Sequence, residues 1–496
     1  MLIGIDDTDS PAGMCTTYLG AVLARRLIRE HMQVREARLV RLNPNVTWKT
    51  RGNAAVMLDV EGDTDRAFTI ACALVEELAD FSCENTNPGV VLAERKPDQA
   101  FYRKAVTEFC TIEEAVALLD ETGARYRGYK NRRGLIGATA AVASELADMT
   151  SEILVYREPE RFGTPRSVDR QSLFDAEAAT FPHTWDTVDV INDVVVCVPH
   201  TPDPVLFGIR GDSPQWVMAA RQMITSEKPG LEQIWVTNQG TDAHLLTGRI
   251  GKLREGLSYR VCGTVAAIPK TGTGGHVSFP IRDGDDLVRC MAYEPTKNFR
   301  QVVRQLVPGD TIIAVGSFKK GSINLEKIRI ISLARQVITR PPLCLVCNKR
   351  MTSAGKGQGW QHGEWSTRTR QLRASGYKVA TLLAGLDAAQ AVETPNFADT
   401  FAQLLVEKFL IAADDGWILR RAQFYRGAIQ EEDEREAARA LLTALAGRPD
   451  WIGHRYPALR TGVRLLPHGA DTASAQKVRN MAAALADRDP AFSPLR

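Results

Sequence analysis

The chain has 496 residues, a formal net charge of +3 and 44% hydrophobic residues. This length predicts several domains, and the balanced composition excludes fibrous and largely disordered proteins. The small net charge excludes a uniformly basic surface, so any nucleic-acid-binding surface must be local. Nine scattered cysteines and no signal peptide predict a cytoplasmic protein with free thiols, and no apolar run is long enough to span a membrane.

The first eighteen residues hold the densest group of candidate catalytic side chains. Residues 2–5 form an apolar run that predicts a strand, and Asp6, Asp7 and Asp9 follow it directly. After a turn at residues 10–13, Thr16 opens a helical pattern. Clustered carboxylates can bind Mg²⁺ and a helix N-terminus can bind phosphate, which favours a metal–triphosphate site. The alternative is a solvated acidic turn in which Thr16 caps the helix.

Residues 1–127 predict an α/β domain. Strand patterns at 2–5 and 54–60 alternate with helical patterns from residue 16 and over 66–81, as in βα units. A loop between them carries Lys49, Arg51 and Asn53, and a turn with Asn85 precedes the apolar run 90–92. Such loops can bring cations and amides onto phosphates, although solvated surface charges are the commoner case.

Residues 125–134 are the most basic stretch of the chain. Two tyrosines alternate there with five cations, which are Arg125, Arg127, Lys130, Arg132 and Arg133. Alternating cations and aromatic rings suit an RNA backbone with stacked bases, and the alternative is a solvated interdomain linker. The small residues from Gly134 onwards predict a closely packed helix.

A second module over residues 128–250 shows α+β patterning. Strands are predicted at 153–156, 188–191, 194–198 and 233–236, and helices at 137–148 and 214–225. Two polar stretches contain Asp212 and Asp242 and follow apolar runs, where binding residues often lie. His244, near the second, is interpreted as a structural histidine.

Residues 255–335 predict five short strands at 259–266, 276–281, 288–292, 311–317 and 323–332, with a helix at 298–306. This is the element order of an OB-fold, a barrel that often binds RNA. Five side chains are candidate RNA contacts, namely His276, Phe279, Phe318, Lys319 and Lys320. A small barrel without a ligand is the alternative.

The remaining chain gives weaker signals. Cys344 and Cys347 form one CxxC pair, but the place of a second pair holds His362 and no cysteine. A structural zinc ion needs four ligands, so residues 341–368 predict a degenerate zinc-ribbon-like segment without tightly bound zinc. Residues 370–496 predict a mostly helical extension with an apolar stripe at 397–409, helices near 431–446 and 473–486, and a hairpin at 411–419.

Six long motifs carry a resemblance to a known family. They read GIDDTDSPAGMCTTY at 4–18, RLNPNVTWKTRGNAAV at 41–56, NTNPG at 85–89, RGLIGATAAV at 133–142, PDPVLFGIRGD at 202–212 and VTNQGTDAH at 236–244. Together they resemble the archaeal tRNA(Ile) 2-agmatinylcytidine synthetases over roughly residues 1–360.

The resemblance implies an ATP-dependent ligase. It would join agmatine to C2 of the wobble cytidine in the CAU anticodon of an isoleucine tRNA, through a phosphorylated cytidine, with release of AMP and phosphate. It implies a kinase-like domain over 1–127, a ferredoxin-like domain over 128–250 and an OB-fold over 255–335. Two alternatives remain open: an RNA modifier that uses another amine, and a tRNA-binding protein without activity.

The resemblance also suggests roles for residues. Asp6, Asp7 and Asp9 would bind Mg²⁺, and Thr16 matches the threonine that the family phosphorylates on itself. Contacts to ATP are expected from a further set, which is Lys49, Arg51, Asn53 and Asn85. Agmatine is dicationic, so Asp212 and Asp242 are candidate acids for its pocket.

Overall fold

The structure is a computed structural model that describes residues 1–335 except 51 and 191, and the short strands named below for the rest of the chain. The chain divides into two compact units, Met1–Leu333 with Gln403–Arg496, and Ala334–Ala402. In the described part of the chain, no helix combines the length and apolar character needed to cross a membrane.

The first module is an antiparallel sheet covered by helices on both faces. Its elements are β1 (Leu2–Asp6), α1 (Thr16–Arg29), β2 (Gln33–Arg41), β3 (Ala54–Glu61), α2 (Thr64–Leu78), β4 (Gly89–Ala93), α3 (Gln99–Thr107), α4 (Ile112–Thr122), β5 (Arg125–Gly128) and α5 (Gly134–Val142). The strand order is β5-β4-β1-β3-β2, and every neighbouring pair is antiparallel. The predicted alternation of strands and helices is found in β1, α1, β3 and α2, but the prediction omits β2.

The error arose at β2, which the sequence analysis missed. Four of its nine residues are charged, which hides the apolar alternation of a strand. Because β2 pairs antiparallel with β3, β3 runs opposite to β1 and pairs directly beside it. The core then forms on both faces, because side chains alternate along each strand. Ile3 and Ile5 pack with α1 and α2, whereas Val91 on β4 packs with α3, α4 and α5.

The prediction of close packing at the small-residue helix is confirmed. Helix α5 crosses β1 so closely that a Cβ atom on Gly4 would lie 2.4 Å from the Ala138 carbonyl oxygen. A Cβ atom on Gly137 would lie 1.8 Å from the Asp6 carboxylate. Only residues without side chains permit this approach, so the helix sits directly over the end of β1.

The second module continues the same sheet. Its elements are β6 (Thr150–Arg157), α6 (Arg170–Thr180), β7 (Thr184–Trp185), β8 (Val188–Asp189), β9 (Val194–Val195), β10 (Val205–Gly211), α7 (Pro214–Met223) and β11 (Pro229–Thr237). The strands β6, β7, β10 and β11 form an antiparallel sheet in the order 4-1-3-2. Val236 and Thr237 of β11 pair in parallel with β2, which joins both modules into nine strands.

The predicted five-strand barrel is confirmed. The elements from here to residue 332 are β12 (Leu245–Gly248), β13 (Ser258–Val265), β14 (Lys270–Thr271), β15 (Val277–Asp283), β16 (Asp286–Ala292), α8 (Phe299–Val303), β17 (Thr311–Lys319) and β18 (Ser322–Ser332). The ring closes as β13-β15-β16-β18-β17 and back to β13, with only β16 and β18 parallel among these pairs. Short 3₁₀ turns lie at Pro159–Arg161, Thr273–Gly275 and Glu294–Thr296.

The described strands beyond the barrel are short. They are β19 (Thr352–Ser353), β20 (Trp360–Gln361), β21 (Phe409–Ala413), β22 (Trp417–Arg421), β23 (Ile452–Gly453) and β24 (Val463–Leu465). β21 and β22 pair as the predicted hairpin. The other predictions for this region lie outside the described residues: the ligands Cys344, Cys347 and His362, most of the stripe at 397–409, and the helices near 431–446 and 473–486.

Candidate functional site

The predicted acids lie at one edge of the first module's sheet, which we call the acidic edge. β1 ends there, and β3 and β4 begin there, because Ile5 pairs with Val56 and Asp6 pairs with Gly89. The loops 7–15, 42–53, 84–88 and 129–133 therefore meet at this edge. Four segments that are distant in sequence thus surround the end of β1.

Asp6 is enclosed by the start of α5. The backbone of that helix approaches the Asp6 carboxylate at Gly137, and Gly134 approaches the Asp6 carbonyl. Burial and then the neighbouring charge of Asp7 raise the pKa of Asp6 well above its usual value. A cation at this position would reverse the effect, since it favours the ionised carboxylate.

Asp7 is held by Arg133 in a bidentate ion pair. The Arg133 Nε and Nη2 atoms donate to Asp7 Oδ2 and Oδ1 at 2.9 and 3.0 Å. Nη2 also donates to the Asn85 carbonyl at 2.6 Å, which links the loop 84–88 to the acids. Asp7 has a left-handed backbone with φ of 59°, which turns its side chain away from the strand path. Burial raises the pKa of Asp7 to about 6 although Arg133 lowers it.

Asp9 and Thr16 form the second arm of the site. Asp9 Oδ1 accepts from the Thr16 backbone N–H at 2.6 Å and from the Thr16 hydroxyl at 2.9 Å. Thr8 donates its own hydroxyl to Thr16 Oγ1 at 3.0 Å. Thr86 donates to the Asp9 carbonyl at 2.7 Å. Asp9, and not Thr16, is therefore the side chain that caps α1, and it is also placed to accept the hydroxyl proton of Thr16.

The three aspartates do not form a metal cage in this arrangement. Within the described residues there is no group of three His, Cys, Asp or Glu side chains placed to share one ion. The reason is that Asp6 faces α5, Asp7 faces Arg133 and Asp9 faces Thr16. A magnesium–nucleotide site needs only one or two carboxylates beside the phosphates. These acids repel one another, and a cation between two of them would relieve that repulsion.

The loop between β2 and β3, which was predicted to bind phosphate, is held by hydrogen bonds from its side chains to its own backbone. Asn53 Nδ2 donates to the Asn43 carbonyl at 2.9 Å, so Asn53 stabilises the loop itself. Lys49 is exposed and its Nζ atom donates to the Pro44 carbonyl. The side chain of Asn85 is exposed, and its carbonyl accepts from Arg133 as described above. Arg51 lies outside the described residues.

Most of the basic stretch contacts its own domain. Arg125 pairs with Asp65, and Arg127 pairs with Glu76 at 2.9 Å. Lys130 Nζ donates to the carbonyls of Phe81, Cys83 and Glu84. Arg132 is exposed. The fifth cation, Arg133, belongs to the acidic edge, which the sequence did not indicate because Asp7 is 126 positions away.

Neither acid predicted for agmatine joins the acidic edge. Asp242 is buried, with Lys327 Nζ at 2.5 Å and Arg260 at 3.5 Å from its carboxylate, so two cations already satisfy it. Asp212 follows β10, five strands from β1 in the sheet order. That separation is roughly 24 Å at one strand spacing per step, which a single small substrate cannot span. Neither acid lies beside Asp6 and Asp7, and their assignment to an agmatine pocket stays a prediction.

The barrel candidates differ in accessibility. Phe279 is 1% exposed inside the barrel, so its predicted contact with RNA is wrong. His276 Nδ1 accepts from the Glu294 N–H at 2.9 Å and its ring lies edge-on to Tyr293. Lys320 is exposed, while Phe318 and Lys319 are half-buried near the end of β17. These four remain predictions.

One network was missed by the sequence analysis. Glu152 is buried between Arg41 and Arg210, at 3.0 and 3.2 Å. Burial opposes its ionisation, but the two guanidinium groups hold the pKa of Glu152 below its usual value. Asn238 bonds to both backbone polar groups of Arg41. These contacts join the two modules, and their partners are too far apart in sequence to be foreseen.

Family models described as TiaS TCKD domain and TiaS FLD domain match residues 2–131 and 132–244. TiaS of Methanocorpusculum labreanum, a 2-agmatinylcytidine synthetase acting on an isoleucine tRNA, is 54% identical over 373 residues, which cover 75% of this chain and 90% of the relative. The chain belongs to this family. The synthetase of Methanosarcina mazei is 48% identical and covers 73% of this chain and 88% of the relative. The predicted resemblance is thus confirmed.

Solved structures of the family share the fold. The crystal structure of apo TiaS has a TM-score of 0.67 at 43% identity and covers 73% of this chain and 88% of its own. The complex of TiaS with its isoleucine tRNA and ATP has a TM-score of 0.65 at 43% identity, covering 72% and 87%. The complex of TiaS with the same tRNA, AMPCPP and agmatine has a TM-score of 0.64 at 42% identity, covering 72% and 88%.

Proposed function

We propose that this protein joins agmatine to C2 of the wobble cytidine of an isoleucine tRNA at the expense of ATP. Relatives that it covers almost completely carry this activity in their names, and family structures hold the isoleucine tRNA, ATP and agmatine. The observation that carries the proposal is the acidic edge, where the Thr16 hydroxyl donates to Asp9 and Arg133 pairs with Asp7.

The chemistry requires activation of a poor leaving group. Transfer of a phosphoryl group to the C2 oxygen of cytosine converts that oxygen into a leaving group, and the agmatine amine then forms the C–N bond as phosphate departs. Phosphoryl transfer depends on alignment and neutralisation of charge. Mg²⁺, held by two of Asp6, Asp7 and Asp9, would neutralise the phosphate oxygens.

Different residues of the acidic edge contribute to different parts of this chemistry. Asp9 would accept the hydroxyl proton as Thr16 Oγ1 attacks the γ-phosphorus of ATP and the bond to the bridging oxygen breaks, which leaves ADP; Thr8 orients Oγ1. The Arg133 guanidinium is close enough to the acids to contact phosphate oxygens. The N-termini of α1 and α5 both point their N–H groups at this edge, which favours negatively charged ligands.

The domain assignments are proposed on topology. The first module would be the kinase-like catalytic domain of residues 1–127. The order 4-1-3-2 over β6, β7, β10 and β11 supports a ferredoxin-like domain over 128–250. The ring order of the barrel supports an OB-fold over 255–335 that binds RNA. Zinc is not expected to be tightly bound, and elemental analysis of the purified protein should find well below one zinc ion per chain.

The test is a nucleoside analysis by mass spectrometry. A transcript of the isoleucine tRNA with the CAU anticodon is incubated with the protein, ATP and an equal mixture of agmatine and putrescine, a diamine without the guanidinium group. The proposal expects conjugation of agmatine alone, at the wobble cytidine. Putrescine conjugation would support the alternative RNA modifier, and unmodified tRNA would support the binding protein without activity.

A further inference from the structure

One exposed tryptophan lies on the loop between β2 and β3. Trp48 is 65% exposed, although large aromatic side chains are usually well buried. Lys49 follows it and is exposed as well. A single apolar side chain on a protein surface is common and needs no explanation. The position of Trp48 on this loop does need one.

Side-chain amides hold this loop in place from both sides. Asn43 Nδ2 donates to the Glu108 carbonyl at 3.0 Å, and the Asn43 N–H donates to the Ala105 carbonyl at 2.9 Å. Asn45 Nδ2 donates to Ser258 Oγ of the barrel at 3.0 Å, and both residues are buried. The loop therefore presents Trp48 from a fixed base at the junction of the first module and the barrel.

Lys49 and Lys319 both lie at this junction. Ser258 pairs with Ser317 across β13 and β17, so the anchor of the loop lies two residues from Lys319. Burial and then the charge of Lys319 lower the pKa of Lys49. Among the described residues, Lys49 Nζ donates to the uncharged Pro44 carbonyl, and no carboxylate pairs with Lys49 or Lys319. Two like charges held together without a counter-ion favour the binding of an anion.

The loop that carries Trp48 also leads to the acidic edge. The loop 42–53 leads into β3, whose first residues pair beside the end of β1. A ligand bound at Trp48 would thus lie at the margin of the acidic edge and on the barrel at once. Nucleotides combine an aromatic face with a phosphate, which matches the aromatic ring and the paired cations.

We infer that Trp48, Lys49 and Lys319 form a binding site for one nucleotide of the tRNA adjoining the cytidine that is modified. Trp48 stacks on its base, and the two ammonium groups hold its phosphate. This inference rests on the proposed function and reassigns Lys49 from ATP to the RNA. Trp48 is a positioning residue, since it fixes the neighbouring nucleotide and not the reacting atoms.

The test measures binding of a transcript of the isoleucine tRNA to the intact protein over a series of salt concentrations. Trp48→Ala should weaken binding about 5- to 150-fold, because stacking on one aromatic side chain contributes that much, and Trp48→Phe should restore most of it. Lys49→Ala with Lys319→Ala should reduce the slope of log K against log salt by about 1 to 2. Lys228→Ala is the matched control, because this exposed lysine is paired with Glu158 on another surface.

Several outcomes would overturn the inference. One is an unchanged affinity for tRNA in Trp48→Ala. Another is a double lysine variant whose salt slope equals that of Lys228→Ala. So would weaker ATP affinity with unchanged tRNA affinity, which would show that Trp48 stacks on adenine. Failure of the proposed function is a separate result, because the unmutated protein would then not conjugate agmatine whatever the affinity of its variants.

Discussion

Asp7→Asn should stabilise the protein while abolishing its reaction with ATP. Asp7 is only 12% exposed, and burial raises the pKa of its carboxyl from 3.8 to about 6. The folded state therefore binds the Asp7 proton more tightly than the unfolded chain does. The stabilisation that the Asp7 carboxyl contributes is fully present below about pH 4 and is lost as the pH rises through about 6.

The magnitude follows from the size of the pKa difference. A shift of about 2 pKa units corresponds to about 3 kcal/mol between the two protonation states. Asparagine resembles the protonated carboxyl and does not ionise. The difference in unfolding free energy between Asp7→Asn and the unmutated protein should thus grow by about 2 kcal/mol from pH 4.5 to pH 7.5, with the variant more stable at the higher pH.

Thermal denaturation at the two pH values measures this difference. At pH 7.5 the transition of the first module should rise by about 4 to 10 °C in Asp7→Asn relative to the unmutated protein. Mg²⁺ with ATP should stabilise the unmutated protein and not the variant. Asp65→Asn is the control, because the Asp65 side chain is 89% exposed and its pairing with Arg125 is worth little.

Two results would refute the reasoning on Asp7. One is a stability difference that does not change with pH, which would mean that burial does not strain the ionised carboxylate. The other is a variant that is less stable at pH 7.5, which would mean that the ion pair with Arg133 outweighs the cost of burial. Normal ATP turnover in Asp7→Asn would remove Asp7 from the catalytic site altogether.

Three further predictions concern other parts of the chain. Thr16→Ala should abolish ³²P labelling of the protein by ATP, whereas Thr17→Ala should retain it; persistent label in Thr16→Ala would leave Thr16 a structural role only. Replacing Arg125, Arg127, Lys130 and Arg132 together by glutamine should flatten the salt dependence of tRNA binding, and an unchanged slope would assign these cations to their intramolecular partners alone. Lys327→Met should cost about 3 to 5 kcal/mol by leaving the buried Asp242 without its closest cation, and a second change of Asp242→Asn should restore much of that loss in denaturant unfolding.

Local patterns predicted the barrel well. Its strands alternate apolar and polar residues and are separated by glycine turns, so their order could be read directly. The same approach failed at β2, where arginine and glutamate side chains interrupt the apolar pattern of a partly exposed strand. It also failed for Phe279, because the sequence alone does not distinguish the inner face of a barrel from its outer face.

The site was predictable only where its members are neighbours in sequence. Asp6, Asp7, Asp9 and Thr16 lie within eleven positions, and the structure keeps them together. Arg133 was assigned to RNA because it lies in a basic stretch, and only the fold brings it to Asp7. Asp242 resembled a binding acid for the same kind of reason, since its partner Lys327 is 85 positions away. Contacts over such separations depend on the topology of the sheet and the barrel.

The path of one oxygen atom tests the central claim most directly. The isoleucine tRNA is prepared with ¹⁸O at the C2 oxygen of its wobble cytidine and incubated with the protein, ATP and agmatine. If the cytidine is phosphorylated before agmatine displaces the phosphate, each conjugated cytidine will have transferred its ¹⁸O to inorganic phosphate. Conjugation with no ¹⁸O in the phosphate, or no conjugation at all, would contradict the account.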